Sequence, residues 1–476
     1  MQLNEAILEP LCIRYVVDEL PVQSGVARRM LLDREAMQSA GDIESYYARL
    51  RTYMEAVKPV CNDVARRNLQ FRLQGLKDIR TTLEHLTAGA TLDDIELFEV
   101  KHLAILYGEV CKQMELLSLP LEPLRTEEVI HILDPDGMRI ATFYVYDSYS
   151  ERLRTLRKQL ELNPADEQVF VAVQEEELRI RRELSGSLRE YAEDLKRGLL
   201  LLTDTDILLA QAVQAKEWNL CLPSVSKDGR LILKEMWNPE VQASLQERHK
   251  EYQHNSIQLG EEPTVLTGSN MGGKTIVLRT VGLCQMLFLF GFGIPAREAE
   301  LPVREKVYCT MSDEQSVTEG LSSFAAEIKS LNRIVEACRR GENLLALIDE
   351  PARTTNPVEG TALVSSLIDV LRRTHRSVLI VTHYTIDAHH CPCLRVRGLQ
   401  DGRMDYSLIE AREGEVPHEA LRIAETLGID AEWLSAAHKV INSTALQQRS
   451  GPSASAVRQR SGLSASKYDR YTIDTR

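Results

Sequence analysis

The run of residues 267–275 combines glycines, a lysine and a threonine in the order that phosphate binding requires. Its sequence, TGSNMGGKT, fits the pattern G-x-x-x-x-G-K-[ST] without a mismatch. A short apolar stretch at Val265 and Leu266 precedes it, and a helical pattern over residues 276–289 follows. This order of strand, loop and helix is the context of a phosphate-binding loop, in which backbone N–H groups and the positive end of the helix enclose a phosphate.

Two side chains at the end of this loop are candidates for direct contact with a nucleotide. Lys274 is expected to reach the β- and γ-phosphates, and Thr275 to hold Mg²⁺ through its hydroxyl. The alternative, a glycine-rich turn that precedes a helix by coincidence, is disfavoured because both flanks fit. The residues that we expect to bind the nucleotide here are Gly268, Ser269, Met271, Gly272, Gly273, Lys274 and Thr275.

A second motif follows a continuous apolar run at residues 344–348, which is typical of a strand buried on both faces. The run ends in Asp349 and Glu350. Asp349 fits the acid that is associated with Mg²⁺, and Glu350 fits the residue that polarises an attacking water. An acidic pair that caps a turn is the alternative, and the next residue, Pro351, favours a turn; the phosphate loop upstream favours the catalytic interpretation.

A third buried-strand pattern, residues 377–381, ends in Thr382, His383 and Tyr384. A histidine at this strand end could sense the γ-phosphate by hydrogen bonding. Single histidines at strand ends are more often ordinary surface or core residues, and only the position relative to the first two motifs favours a function here.

Length and composition indicate a multi-domain globular protein. The chain has 476 residues, 43% of them hydrophobic, and a formal net charge of −13, which argues against polyanion binding by the whole surface. The charged first 20 residues do not resemble a secretory signal, and no apolar window is long enough to span a membrane. We expect a cytoplasmic protein with reduced thiols, because the nine cysteines are scattered. Cys391 and Cys393 have C-x-C spacing without a second pair, which disfavours a metal site.

The first half of the chain has a helical pattern, with apolar residues at three- and four-residue spacing and charged faces. The segments are residues 43–60, 65–80, 92–116, 149–162 and 175–200. The last segment, residues 447–476, is rich in serine and arginine and is predicted to be disordered and basic. It could contact nucleic acid or an acidic partner, or it could be a solubilising tail.

The three strand-end motifs together resemble the ATPase domain of the MutS family, a relative of the ABC-type ATPases. Residues 312–316 and 321–324 resemble the signature loop and the following helix of that family, and residues 293–299 match as well. The features are most similar to the second bacterial branch of the family. The resemblance implies an α/β P-loop NTPase domain preceded by an all-α core and lever domain, and a dimer that hydrolyses ATP with Mg²⁺.

The resemblance also implies roles for individual residues. Asn270 matches an asparagine that orders the attacking water, and Ser322 matches a serine that reaches the γ-phosphate bound by the other subunit. Tyr252 matches an aromatic residue that stacks on adenine, although packing alone would also account for a tyrosine there. The implied catalytic set is Glu350, Asn270, His383 and Ser322, and the implied Mg²⁺ ligands are Thr275 and Asp349.

The implied organisation is a helical core and lever domain at residues 1–250, an ATPase domain at residues 251–448 and the tail at residues 449–476. Family members insert a DNA-gripping clamp between the two lever helices, whereas here only residues 161–174 separate the predicted helices. The family's mismatch-reading and nuclease domains have no counterpart in the sequence.

Two functions remain open at this point. One is the remodelling of a partner protein by a homodimer, because short MutS-like chains resemble the reactivating subunit of cobalamin-dependent aminomutases. The alternative is a DNA-binding ATPase of mismatch repair or recombination control, for which the missing clamp predicts weak DNA binding.

Overall fold

The computed structural model describes residues 3, 9–139, 142–268, 273–311, 323–384, 391–400, 403–411, 428–437 and 439. The described parts of residues 1–397 and 406–413 form one compact unit. Those of residues 398–405 and 414–476 form a second unit. The predicted tail at residues 449–476 lies outside the described residues.

The first part of the chain is helical. Caps account for several helix starts: Asp93 accepts hydrogen bonds from the N–H groups of Ile95 and Glu96, and the Glu96 side chain accepts from the N–H of Asp93, which is a capping box. The helices are α1 (Ile13–Asp18), α2 (Gly25–Leu32), α3 (Ala40–Val57), α4 (Asp63–Leu73), α5 (Arg80–Ala88), α6 (Asp94–Leu116), α7 (Thr126–Leu133), α8 (Glu151–Leu162), α9 (Glu167–Leu188) and α10 (Ala192–Trp218).

Helices α8 and α9 form the hairpin that the sequence predicts as a lever. The gap between them is shorter than predicted, because α9 begins at Glu167 behind an Asp166 N-cap, and only residues 163–166 separate the two helices. The predicted returning helix at residues 175–200 is two helices, since a 3₁₀ turn at Arg189–Tyr191 separates α9 from α10.

Strands before residue 250 correct the expectation that residues 1–250 are all helical. β1 (Ser224–Val225) and β2 (Leu231–Met236) join β3 (Asn255–Leu259) and β5 (Glu298–Leu301) in a sheet of order β1-β5-β2-β3. β2 alternates buried and more exposed residues, as a half-buried strand does. The segment is short and lies between helical patterns, and the sequence analysis therefore did not recognise this alternation. The strands of this sheet therefore lie on both sides of residue 250 in the sequence. The helix α11 (Pro239–Glu247) lies between β2 and β3 in the sequence.

A second sheet holds the three motifs. It consists of β4 (Pro263–Thr267), β6 (Lys306–Thr310), β7 (Leu344–Asp349), β8 (Ser377–Val381), β9 (Cys393–Gln400) and β10 (Arg403–Glu410), in the order β10-β9-β4-β8-β7-β6. β9, β4, β8, β7 and β6 are paired in parallel, in that order across the sheet. The helices α12 (Lys274–Leu289), α13 (Ser323–Arg339) and α14 (Pro357–Arg372) connect strands of this sheet. The carboxyl ends of β4, β7 and β8 therefore meet at one edge, where ligands bind in open α/β sheets.

One hydrophobic core joins the helical part to α12. Side chains of α3, α6 and α10 belong to the same buried cluster as those of α12. The Tyr47 hydroxyl on α3 donates to the carbonyl of Phe292 at 2.8 Å and lies 3.2 Å from that of Phe288. Gly282 on α12 permits close packing against Leu11 and Leu347, because a Cβ at this position would collide with both side chains. Within the described residues, no helix is long and apolar enough to cross a membrane.

Candidate active site

The phosphate loop begins where the buried strand β4 ends, as the sequence predicts. Gly273 has φ +70°, in the left-handed region that glycine adopts without a steric penalty, and forms the N-cap of α12. Lys274 is 3% exposed, and its ammonium donates to the Gly268 carbonyl at 2.8 Å. The lysine side chain therefore folds back toward Gly268, at the end of β4. Ser269, Asn270, Met271 and Gly272 lie outside the described residues.

Thr275 and Asp349, which are far apart in the sequence, meet at the edge of the sheet. The Thr275 hydroxyl donates to the Asp349 carboxylate, with 3.0 Å to Oδ2. Asp349 ends the fully buried strand β7 and is 6% exposed. Burial raises the pKa of the Asp349 carboxyl, and the hydrogen bond from Thr275 opposes that shift. A hydroxyl beside a carboxylate fits Mg²⁺, which binds hard oxygen donors.

Glu350 follows Asp349 in a strained turn that is tied to the neighbouring strand. Its φ is +45°, which is uncommon for a residue other than glycine, and its N–H donates to the Val381 carbonyl at 2.9 Å. The carboxylate lies 4.0 Å from His383 Nδ1 and 3.6 Å from the Arg353 guanidinium. The ends of β7 and β8 thus bring Glu350 and His383 together, with Arg353 from the following loop beside them.

A supporting layer behind these residues was not predicted from the sequence. The Tyr384 hydroxyl donates to the Ala352 carbonyl at 2.7 Å, and the Ala352 N–H donates to Glu327 on α13 at 2.7 Å. Burial raises the pKa of the Glu327 carboxyl. Gly360 on α14 leaves room for the tyrosine, since a Cβ there would collide with its hydroxyl. The turn after Glu350 is therefore held from two sides; no spacing rule in the sequence connects Glu327 to Ala352.

The segment that carries Tyr252 is hydrogen-bonded to a second tyrosine, Tyr406, that sequence reasoning missed. The Tyr252 hydroxyl accepts a hydrogen bond from the N–H of Asn238 at 3.2 Å, so this ring is held by its polar end. The ring of Tyr406 on β10 lies against Gly273: its Cδ1 would be 3.4 Å from a Cβ there. Gln253 accepts a hydrogen bond from the Tyr406 N–H at 2.8 Å, which ties β10 to the segment that carries Tyr252. An isolated tyrosine in a late strand gives no signal of such proximity.

Ser322, the remaining predicted site residue, lies outside the described residues, as do residues 312–320. Among the residues that are described, no group of three or more His, Cys, Asp or Glu side chains could hold a metal ion. The predicted Mg²⁺ contact thus involves one hydroxyl and one carboxylate.

Comparison with known proteins addresses the family. Residues 264–392 match MutS domain V, and this segment includes the phosphate loop, both acidic residues and His383. The chain is therefore similar to the MutS family over this domain. MutS domain V is an ATPase domain, and the α/β sheet with its phosphate loop is its core.

Several relatives named Endonuclease MutS2 match part of the chain. Endonuclease MutS2 of Pediococcus pentosaceus is 31% identical over 300 residues, which are 60% of this chain and 36% of that protein. The protein of this name from Lactobacillus acidophilus is 34% identical over 222 residues, 46% of this chain and 27% of that one. That from Caldicellulosiruptor saccharolyticus is 30% identical over 277 residues, 57% and 32% respectively. The chain spans about a third of the length of the curated relatives that it matches.

Proposed function

We propose that the chain binds ATP with Mg²⁺ and hydrolyses it. The observation that carries this proposal is the contact of Thr275 with Asp349 beside the buried Lys274. In the proposed site, Lys274 binds the β- and γ-phosphates, and Thr275 and Asp349 supply oxygen ligands for Mg²⁺, which neutralises charge that develops on the phosphates. The loop residues Gly268, Ser269, Met271, Gly272 and Gly273 would enclose the phosphates with backbone N–H groups.

Glu350 is the proposed base for the attacking water. Its carboxylate lies at the same sheet edge as Asp349, and the turn behind it is fixed by Tyr384 and Glu327. His383, 4.0 Å away, would hydrogen-bond to the γ-phosphate or hold the Glu350 carboxylate. Asn270 is proposed to order the same water. A fixed carboxylate favours catalysis because little reorganisation remains to be made in the transition state.

The adenine base is proposed to lie beside Tyr252 and Tyr406, whose segments are joined by the hydrogen bond from the Tyr406 N–H to Gln253. The contact of Tyr406 with Gly273 supports this placement, since aromatic faces are favourable surfaces for a planar base. We also propose a homodimer in which Ser322 of one subunit completes the site of the other, and in which closure moves the α8–α9 hairpin.

Two substitutions separate binding from chemistry. Lys274→Ala should abolish tight ATP binding, because it removes the cation at the phosphates. Glu350→Ala should bind ATP as the wild type does while losing most of the turnover, because Glu350 acts on the water and not on the nucleotide. Equilibrium binding and phosphate release measure the two effects. Wild-type turnover by purified Glu350→Ala would show that the role of Glu350 is assigned wrongly.

For the target of this ATPase, we propose a DNA transaction of the repair or recombination kind. The support is comparative: the relatives that match are named Endonuclease MutS2. No nuclease activity is proposed for this chain, because the alignments cover 36% or less of those proteins.

The remodelling of a partner protein, as by an aminomutase reactivase, remains a second candidate. The observation that favours it is the α8–α9 hairpin, whose helices are separated by residues 163–166 alone, without room for a DNA-gripping clamp. The net charge of −13 also favours protein remodelling over DNA binding, because DNA-binding surfaces neutralise phosphates with Lys and Arg. The comparisons give this candidate no support of their own.

Titration of plain, mismatched and branched duplexes at physiological salt distinguishes the two targets. Full-length protein and a chain cut after Gln448 should be compared, each with and without ATP. Tight, structure-selective binding that survives the truncation would establish the DNA role. Weak binding that ignores structure and disappears with the basic tail would favour protein remodelling.

A further inference from the structure

Three arginines line a cavity at the edge of the sheet opposite the ATPase site. Its volume is about 410 Å³, and Arg339, Arg373 and Arg376 line it together with Thr374 and Gly341. Such a volume is within the range of roughly 300–1,000 Å³ for small-molecule sites. The loops that form it precede β7 and β8, whereas Asp349 and His383 follow these strands. Strands of this length separate the two edges by roughly 17–20 Å.

The positive charge of this cavity is not neutralised by the described residues. Within the described ranges, no carboxylate lies within 4.0 Å of the guanidinium groups of the three lining arginines, Arg339, Arg373 and Arg376. The adjacent residue Arg340, in contrast, forms an ion pair with Glu342 at 2.7 Å. A fourth arginine, Arg304, lies near Arg376: burial lowers its pKa, the Glu261 carboxylate raises it, and the charge of Arg376 lowers it. Several guanidinium groups around one cavity repel each other unless an anion separates them.

The Nε–H group of Arg376 has no hydrogen-bond acceptor among the described residues. Its Nη2 donates to the Gly341 carbonyl at 2.9 Å and its Nη1 to the His375 carbonyl at 3.0 Å, which fixes the plane of the guanidinium. Its Nε is buried and has no hydrogen-bond partner in the described part of the chain. A buried donor without a partner costs about 1–3 kcal/mol; the atom is closed to water in this structure, so an anion oxygen would reach it only after neighbouring side chains shift.

A purely structural role accounts for only part of this cluster. Arg339 ends α13 and Arg373 caps α14, where a cation interacts favourably with the helix dipole. That explanation does not cover Arg376, which lies beyond both helices, nor does it explain why all three arginines line one cavity. Phosphate groups match the forked donors of guanidinium groups and accept several at once.

We propose that this cavity binds the phosphate group or groups of a small phosphorylated ligand. The cavity is concave and local, whereas specific interfaces with DNA extend over roughly 1,000 Å² or more. Glu336 and Asp369, both exposed, precede Arg339 and Arg373 by one helical turn and would repel a long polyanion. The ligand is therefore a compact anion that carries phosphate.

Calorimetric titration of the Lys274→Ala protein tests this site, because that background removes phosphate binding at the ATPase loop. Orthophosphate, pyrophosphate and a nucleoside diphosphate serve as probes. The order of their affinities distinguishes a site for free phosphate from a site for a nucleotide. We expect saturable binding at one site per chain. Adding Arg376→Gln or Arg373→Gln should weaken it about tenfold or more, which corresponds to the loss of a charge-assisted hydrogen bond.

The exposed Arg333→Gln change, also on α13 but outside the cavity, is the matched control and should leave the affinity unchanged. Arg373 is exposed, so its substitution tests the site even if Arg376→Gln unfolds the chain. Absence of saturable binding, or equal loss with Arg333→Gln, overturns the proposal. Duplex DNA that binds through Arg373 while pyrophosphate does not would also overturn it and assign the cavity to nucleic acid.

Discussion

At the scale of single residues, the oxygen donors of Thr275 and Asp349 are held in place before any nucleotide arrives. The bond between them satisfies the hydroxyl and one lone pair of the carboxylate, while the walls of the sheet keep water away from Asp349. This arrangement has a cost, because burial disfavours the charged carboxylate and raises its pKa. The proposed cation site is thus an unfavourable environment for an unpaired carboxylate.

Asp349→Asn should therefore stabilise the nucleotide-free protein while it abolishes Mg²⁺-dependent turnover. A raised pKa in the folded state means that folding is favoured at low pH and that stability is lost as the pH rises through the unfolded and then the folded pKa. The neutral amide avoids this loss. Thermal unfolding should show a higher midpoint for the variant at neutral pH, and the difference should shrink on acidification.

The exposed Asp369 on α14 is the matched control, and Asp369→Asn should change neither stability nor turnover. A lower midpoint for Asp349→Asn at neutral pH would show that the Asp349 carboxylate stabilises the fold, contrary to this account.

At the scale of elements, the base of the α8–α9 hairpin is held by one serine and one glutamate. Ser150 caps α8 by accepting from the Leu153 N–H at 3.2 Å, and its hydroxyl donates to Glu176 on α9 at 2.8 Å. Arg179, assisted by Ser150, lowers the pKa of the Glu176 carboxyl to about 2. The start of α8 is thus joined to the middle of α9, and the rest of α9 continues beyond this contact to Leu188.

Ser150→Ala should destabilise the protein by about 1 kcal/mol, because it removes an N-cap and the donor to a buried carboxylate. Urea unfolding followed by circular dichroism measures this change. Ser187 on α9 provides the control: its hydroxyl donates to the Glu183 carbonyl within the same helix and caps nothing. Equal effects of Ser187→Ala and Ser150→Ala would argue against a special role of the hairpin base.

At the scale of the whole molecule, α12 connects the phosphate loop to the helical core. The helix begins at Lys274, and near its other end the carbonyls of Phe288 and Phe292 face the Tyr47 hydroxyl of α3. A displacement of the loop is therefore expected to reach the helical part through packed side chains. The proposed dimer would use this connection twice, once in each subunit.

Mixed dimers test whether each site is completed by the other subunit. Lys274→Ala and Ser322→Ala proteins should each be inactive, and mixing them should restore part of the activity, because one site in each mixed dimer then has both residues. Phosphate release measures the rescue, and native mass spectrometry verifies the mixed dimers. Verified mixed dimers without any rescue would contradict completion in trans.

The sequence alone determined the strands and the helix of the candidate site, because these elements follow local rules. Apolar runs predicted β7 and β8, and the helical pattern after the glycine-rich run predicted α12; the observed bounds differ by two residues or fewer. Only the tertiary structure decided which distant groups meet. The contacts of Tyr406 with Gly273 and of Glu327 with Ala352 depend on strand order and helix packing, and periodicity carries no information about either. The sheet that crosses residue 250 was missed for the same reason, since its strands are short and gain their stability from partners far along the chain.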